Sequence, residues 1–221
     1  MKLSHPMLNH PIDWEKSKIN SFVIENSVMY RNFIRELYDQ VSGMKGEFVL
    51  SHDCELLDIS KNIEMIGNVL DMDMDNKRII SGIVRELTDI AVNEKSLEIN
   101  EIYEKINGLI SDVIFVSNND IIFDDINDIS HIFKMYNVRP DAENLSLAEK
   151  IIMYLELCEK FLNKKIFVLL NLHSFFTKQE MELLLEDIVY RKFNVFLIER
   201  YDYNALPQET KRIIDIDLCE I

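Results

Sequence analysis

Apolar residues recur along the chain with two different spacings, and the change between them outlines its organisation. Short apolar runs bounded by polar stretches predict strands at residues 19–24, 48–50 and 63–70. Residues 1–13, which contain two prolines, predict an edge hairpin. Apolar residues at helical spacing predict a helix that begins at Asn26 or Ser27 and ends at Gly43.

The middle of the chain has the spacing of helices. Apolar residues recur every three or four positions over 76–92 and again over 97–116, in narrow stripes with polar flanks. This pattern is typical of a helical hairpin or a coiled-coil-like projection. Residues 126–136 predict a further short helix, and Pro140, after Arg139, ends that segment.

The C-terminal part alternates helices and strands. Ser146 and Glu149 form a capping box that begins a helix, and Thr177 and Glu180 form a second one. Continuous apolar runs predict two strands covered on both faces, at 166–170 and 195–198. A strand, a helix and a strand with short connections predict parallel pairing.

Together these elements predict an α/β head interrupted by an inserted, mostly α-helical leg. The head combines both ends of the chain, residues 1–74 and 160–221, and the leg comprises residues 75–159. With only 5 Gly and 4 Pro among 221 residues, the chain lacks the turn residues of an all-β protein.

The charge balance is strongly acidic. There are 24 Lys and Arg against 39 Asp and Glu, which gives a formal net charge of -15. Such a chain differs from the usual basic nucleic-acid-binding protein. The acidic excess opposes self-association unless cations or local basic patches offset it, so it points towards a divalent metal.

The cysteines and the N-terminal segment bear on the compartment. Cys54, Cys158 and Cys219 have neither metal-ligand nor redox spacing, which favours a reducing compartment without a disulfide framework. The first residues lack the apolar core of a signal peptide, and no apolar run is long enough to span a membrane. We therefore expect a cytoplasmic protein that does not engage membranes.

A nucleotide site is the first chemistry to test in an α/β chain. No glycine-rich phosphate-binding loop with its Lys and Ser or Thr is present, and the short segment 43–46 follows a predicted helix. After the 166–170 run, Asn171 stands where a metal-binding carboxylate would be needed. The head therefore resembles a degenerate P-loop ATPase sheet, and we expect no catalytic activity. His173, just past the same run, is more typical of a packed or solvated loop residue than of a catalytic one.

Two acidic clusters could supply oxygen ligands for calcium. The first contains Asp71, Asp73 and Asp75. The second contains Asp120, Asp124, Asp125 and Asp128, interleaved with asparagines. Neither follows the EF-hand pattern, and helix caps or solvated turns account equally well for such residues. For calcium we favour Asp124, Asp125 and Asp128, then Asp120, and after these Asp73 and Asp75.

Basic residues cluster in the same part of the chain. They are Lys134, Arg139, Lys150, Lys164 and Lys165. Gathered on one surface, they would form a track for phosphate groups despite the negative total charge. A lysine pair before a strand is also typical of a solvated strand edge.

Several segments resemble the Csn-two family, the accessory adaptation protein of type II-A CRISPR systems. The similarity lies in the opening that ends at Pro11 and Ile12, in the acidic junction at 68–76, and in the apolar and basic residues at 132–134 and 138–139. It continues through 164–171, 176–178 and 195–199. The order of these segments carries the resemblance, because none is a catalytic motif.

The resemblance implies a head-and-leg protomer that assembles into a ring-shaped homotetramer. Such a ring holds Ca2+ and threads double-stranded DNA, preferring free ends. It has no known catalytic activity, and it serves spacer acquisition with the other CRISPR adaptation proteins and the type II effector proteins.

Three classes of function remain open at this point. The first is a calcium-dependent ring that binds DNA without sequence preference. The second is a degenerate ATPase-like regulator that binds only protein partners. The third is a metal-dependent nuclease that uses the Asp-rich segments, although a nuclease normally holds two metals about 4 Å apart on rigid elements.

Overall fold

The computed structural model describes all 221 residues, which form nine strands and seven α-helices. In the N-terminal part these are β1 (Lys2–Ser4), β2 (Ile12–Asp13), β3 (Ile19–Ile24), α1 (Ser27–Val41), β4 (Val49–His52), β5 (Glu55–Leu57), α2 (Ile59–Asn62) and β6 (Ile63–Ile66). The remaining elements are α3 (Lys77–Glu94), α4 (Ser96–Ser117), α5 (Ile129–Met135), α6 (Leu147–Leu162), β7 (Ile166–Leu170), α7 (Lys178–Tyr190), β8 (Asn194–Glu199) and β9 (Glu209–Ile214). The predicted α/β class is confirmed.

The chain divides into two compact units. The first, which we call the head, contains Met1–Asp73 and Ala142–Ile221, and the second, the leg, contains Met74–Asp141. The chain thus leaves the head within one residue of the predicted boundary but returns at residue 142 instead of 160.

Helix α6 accounts for the later of these two boundaries, because its apolar face belongs to the head. It buries Ile151, Leu155 and Cys158 completely. The hydroxyl of Tyr154 on the same helix lies 3.2 Å from a carboxylate oxygen of Glu64 on β6. A stripe of apolar residues predicts a helix but does not tell which unit it packs against.

A parallel five-stranded sheet, in the order β6-β7-β8-β3-β9, forms the centre of the head. All six residues of β3 are buried, because β3 lies between two other strands and both faces of the sheet are covered. On one face, Phe22 and Phe196 meet Phe33 of α1, with ring centroids 5.8 and 6.5 Å from that of Phe33.

A smaller antiparallel sheet, ordered β2-β1-β4-β5, extends this core. It contributes the fully buried Leu3 and Ile12, and Trp14 follows directly. The indole N–H of Trp14 donates to the carbonyl of Val195, 3.0 Å away in the buried interior. The predicted opening hairpin is confirmed by the pairing of β1 with β2.

The helix starts follow the predicted caps. Both capping boxes are formed, Ser146 with Glu149 and Thr177 with Glu180. The side chain of Asn26 accepts the N–H groups of the first turn of α1. The strand predicted at 63–70 instead ends at Ile66. The reason is a turn at Asn68, whose side chain accepts the N–H of Leu70 at 3.0 Å.

The leg is built from α3, α4 and α5. Ile79 and Val84 of α3 are buried, and α3 packs against both other helices. The amide side chain of Asn107 on α4 bonds both backbone groups of Ile126, its oxygen accepting the N–H at 3.0 Å. This pair of bonds ties the segment that precedes α5 to α4. None of the helices of either unit combines the length and hydropathy that crossing a lipid bilayer requires.

The last strand, β9, was not predicted from the sequence. Its first four residues are polar and only its last two are apolar, and it lies at the edge of the sheet, parallel to β3. Residues 200–208, which we call the strap, lead from β8 to β9 and pass over β3, which lies between them. A parallel crossover usually takes a dozen residues or more and contains a helix.

Candidate functional sites

The predicted basic residues lie in both units. Lys134 is in the last turn of α5, and Arg139 follows that helix, both exposed in the leg. Lys150 on α6 is half-buried, and Lys165 before β7 is exposed, both in the head. These four side chains keep access to solvent and can meet a phosphate group.

Lys164 is not available for such a contact, which corrects the prediction for this residue. It is only 6% exposed. Its ammonium donates to the carbonyls of Ser60 at 2.8 Å and Ile63 at 2.7 Å. It also pairs with the carboxylate of Glu64 at 3.3 Å. Lys164 therefore joins α2 and β6 to the start of β7, and its charge is used inside the head.

The acids predicted for calcium are almost all exposed. Asp120, Asp124 and Asp125 lie in the segment between α4 and α5, and Asp73 and Asp75 lie before α3. None of the predicted acids belongs to a group of three metal-binding side chains whose ligand atoms lie within 4.8 Å of one another. Calcium binding by these residues stays a prediction.

Asp128 has a structural task of its own. Its carboxylate accepts the backbone N–H and the hydroxyl of Ser130, each at 2.8 Å, and so caps α5. The hydroxyl bond, followed by the backbone bond, holds the pKa of Asp128 below its usual range. A carboxylate that caps a helix in this way stays ionised and keeps lone pairs for a cation.

The carboxyl edge of the parallel sheet, where α/β proteins commonly bind ligands, is occupied by protein side chains. The amide of Asn171, directly after β7, donates to the hydroxyl of Tyr30 at 2.8 Å. Its oxygen accepts the N–H of Arg200 at 3.1 Å. The guanidinium of Arg200 in turn donates to the carbonyl of Ile24 at 3.2 Å. These bonds tie together the ends of β7, β8 and β3.

No phosphate-binding loop follows β3. Only Glu25 and Asn26 separate β3 from α1, and the side chain of Asn26 caps the helix. Two residues, one of them engaged as a cap, cannot form the backbone cradle that a phosphate-binding loop provides.

A cluster of buried polar groups, not predicted from the sequence, lies under the strap. The carboxylate of Glu209 accepts bonds from the hydroxyl of Ser21, the hydroxyl of Tyr203 at 2.7 Å and the N–H of Leu206 at 2.8 Å. His173 stacks on Tyr203 with ring centroids 3.6 Å apart, and its Nε2 lies 3.6 Å from Glu209. Burial acts to raise the pKa of Glu209, but the His173 side chain and the bonds from Leu206, Ser21 and Tyr203 outweigh burial and hold the pKa below its usual range. His173 is therefore a packed residue, which agrees with the expectation from its position just after a buried strand.

Glu199, the last residue of β8, lies beside this cluster. It is 3% exposed, and its carboxylate accepts the N–H of His173 at 3.1 Å. Burial raises the pKa of Glu199 to about 7, because hydrogen bonding to its carboxylate does not replace the lost hydration of the charged form. The sequence carries a signal for this residue, since a glutamate directly continues an apolar strand.

One family comparison covers most of the chain. A family model described as CRISPR-associated protein (Cas_Csn2) matches residues 40–218. The matched range contains the whole leg, strands β4 to β9 of the head, and well over half of the chain. The resemblance inferred from the order of segments is thereby confirmed.

Replacing Glu199 by Gln should stabilise the protein at alkaline pH. In the unfolded chain this carboxyl ionises near its ordinary pKa of 4.5, but in the folded chain only near 7. The contribution of this carboxyl to the free energy of unfolding is therefore fully present below pH 4.5 and is lost as the pH rises through 7. The total loss is about 3 kcal/mol. Urea unfolding at pH 5 and pH 8.5 measures the effect. If Glu199→Gln changed the free energy of unfolding equally at both pH values, Glu199 would already be ionised in the folded protein at pH 5.

Replacing Lys164 by Met should lower the free energy of unfolding by about 2 to 3 kcal/mol. The substitution removes the ammonium that donates to the carbonyls of Ser60 and Ile63 and pairs with the Glu64 carboxylate. Lys165→Met is the matched control, because it removes an exposed charge one residue away and should change stability by less than about 0.5 kcal/mol. Denaturant midpoints that shift equally in the two variants would contradict this role of Lys164.

Proposed function

The chain belongs to the CRISPR-associated Cas_Csn2 family, which has a role associated with CRISPR adaptation, and on that premise we propose that it binds double-stranded DNA during spacer acquisition. In this proposal the protein forms a ring-shaped homotetramer that binds DNA without sequence preference, favours free ends and depends on calcium. It acts with the other adaptation proteins and the type II effector proteins. The family match over residues 40–218 is the observation that carries the proposal.

The exposed basic residues support contact with the phosphate backbone. Lys134 and Arg139 lie five residues apart at one end of α5, and both are exposed. Lysine and arginine in a loop and a helix end suit phosphate oxygens, whereas base readout needs an element that enters a groove. Binding of this kind is uniform across sequences and depends strongly on salt.

We also propose that the protein acts without catalysis. Asn171 stands where a metal-binding carboxylate would be needed, and it is engaged by Tyr30 and Arg200. The two-residue connection after β3 leaves no phosphate cradle. The head would then serve as a scaffold, with a sheet whose ligand edge is closed by its own side chains.

The net charge supports a requirement for cations. Four chains together carry a formal charge of -60, four times the -15 of one chain. Charges of one sign closer than the Debye length of about 8 Å repel each other at physiological salt. Calcium shared among carboxylates removes that repulsion, which is the reason to expect it in an assembled ring.

Charge reversal of Lys134, Arg139 and Lys150 together should weaken DNA binding at least tenfold on every sequence. The loss of three phosphate contacts should also reduce the slope of log K against log salt by about 2 to 3. Anisotropy titrations of several unrelated linear duplexes at a series of salt concentrations measure both quantities.

The matched control is a triple reversal of the exposed Lys45, Lys61 and Lys105, which changes the net charge by the same amount. If both triple variants lose affinity equally, the effect comes from total charge and the proposed contacts are wrong. A strong preference for one duplex over the others would contradict the sequence-independent mechanism.

Calcium removal should dissociate or destabilise the tetramer, and Asp124→Asn with Asp125→Asn should have the same effect in the presence of calcium. Sedimentation velocity and melting temperature, with and without a chelator, measure it. Asp89→Asn with Asp112→Asn is the control, because it removes two exposed carboxylates of the same unit. If neither the chelator nor the substitutions at Asp124 and Asp125 change the tetramer or its melting temperature, these residues are solvated loop acids and not calcium ligands.

A further inference from the structure

Three side chains from separate segments of the head converge outside all the sites described so far. They are His5, which follows β1, Glu36 on α1, and Glu47, which precedes β4. One ligand atom from each lies within 4.8 Å of the other two. All three lie apart in sequence and have no motif spacing, so the fold alone brings them together.

His5 is held rigidly at the base of this group. Its side chain is 1% exposed and packs against two aromatic rings, with its centroid 4.3 Å from that of Phe48 and 5.4 Å from that of Phe33. Its Nε2 is 3.2 Å from Oε2 of Glu36, and its Nδ1 accepts the N–H of Met7 at 3.2 Å. A ring that accepts at Nδ1 carries its proton on Nε2 and is neutral.

Glu47 is brought over α1 by a tight turn. The amide side chain of Gln40 bonds both the N–H and the carbonyl of Phe48, at 2.8 and 3.0 Å. A Cβ at Gly46 would lie 2.5 Å from the same side chain, so only glycine permits this approach. The N–H of Glu47 then donates to Oε1 of Glu36 at 2.7 Å.

The resulting charge arrangement is unbalanced. Two carboxylates face each other beside a neutral imidazole. One oxygen of each carboxylate lies within 4.8 Å of the other. Like charges this close repel each other, more strongly at the margin of the core than in bulk water. Glu47 is exposed, so a cation and its water can enter from solvent.

We propose that His5, Glu36 and Glu47 form a binding site for a divalent transition metal, with zinc as the best match. Zinc accepts imidazole nitrogen and carboxylate oxygen and commonly uses three protein ligands and one water. Calcium takes oxygen ligands only, which separates this site from the acidic loops proposed above for calcium. The proposal does not depend on the DNA-binding function.

Metal binding rearranges one proton. Nε2 releases its proton to coordinate the ion, and the neutral ring then carries a proton on Nδ1. The Met7 N–H therefore loses its acceptor, while the ion ties β1, α1 and the turn before β4 together. Because protons and the metal compete for the same nitrogen, affinity should fall as the pH falls.

A second group, Glu15, His52 and Asp53, also brings three ligand atoms within 4.8 Å. All three of its residues are exposed, and the N-terminal ammonium occupies Glu15 at 3.0 Å. It lacks the buried, oriented imidazole of the first group. It is therefore the natural comparison in an experiment.

The test is calorimetric titration of the full-length chain with zinc chloride, after chelator treatment and in excess calcium. We expect one zinc ion per chain, an affinity at least tenfold lower in Glu47→Gln, and a smaller rise in melting temperature with zinc in Glu47→Gln than in the wild type. Glu47 is exposed, so this variant should fold, and circular dichroism checks that it does. Asp53→Asn should bind zinc like the wild type.

Zinc binding that is lost in Asp53→Asn but kept in Glu47→Gln would overturn the proposal and assign the ion to the exposed group. An absence of zinc binding at all, or full competition by calcium, would overturn it as well. His5→Gln gives a second measure, because it should abolish binding even where Glu47→Gln only weakens it.

Discussion

The buried carboxylate of Glu209 satisfies a constraint on which the head depends. The strap must carry the chain from β8 to β9 across β3 in nine residues, without a helix to cover the sheet. Glu209 fixes the strap by accepting bonds from Tyr203, Leu206 and Ser21 at once. Ser21, a buried polar residue of β3, thereby finds a partner instead of being an unsatisfied group in the core.

The parts of the fold that the sequence predicts well are those determined by neighbouring residues. The capping boxes at Ser146 and Thr177 and the apolar strands β7 and β8 follow from local chemistry, and the structure contains all four. The strand β9 was missed because an edge strand with polar residues has no distinctive pattern. Its place is set by pairing with β3, almost two hundred residues earlier.

The candidate sites show the same limit more sharply. Lys164 and Lys165 are adjacent and chemically identical, yet one is buried with three partners and the other is exposed. Only the three-dimensional path of α2 and β6 distinguishes them. The group formed by His5, Glu36 and Glu47 had no sequence signal either, because its members share neither spacing nor motif. By contrast, Asp128 combines a helix cap with membership of an acidic cluster, and both features are visible in the sequence.

The position of β3 has a consequence for how the protein is made. This fully buried strand, residues 19–24, pairs only with β8 and β9, which are among the last residues to be synthesised. At about 5 to 20 residues per second, a ribosome needs roughly 10 to 40 s to proceed from one to the other. Throughout that interval β3 has no partner strand, whereas the leg is one continuous segment that is complete by residue 141. The nascent chain therefore carries an unpaired aggregation-prone strand for most of its synthesis, and the head is the part whose folding would need a chaperone.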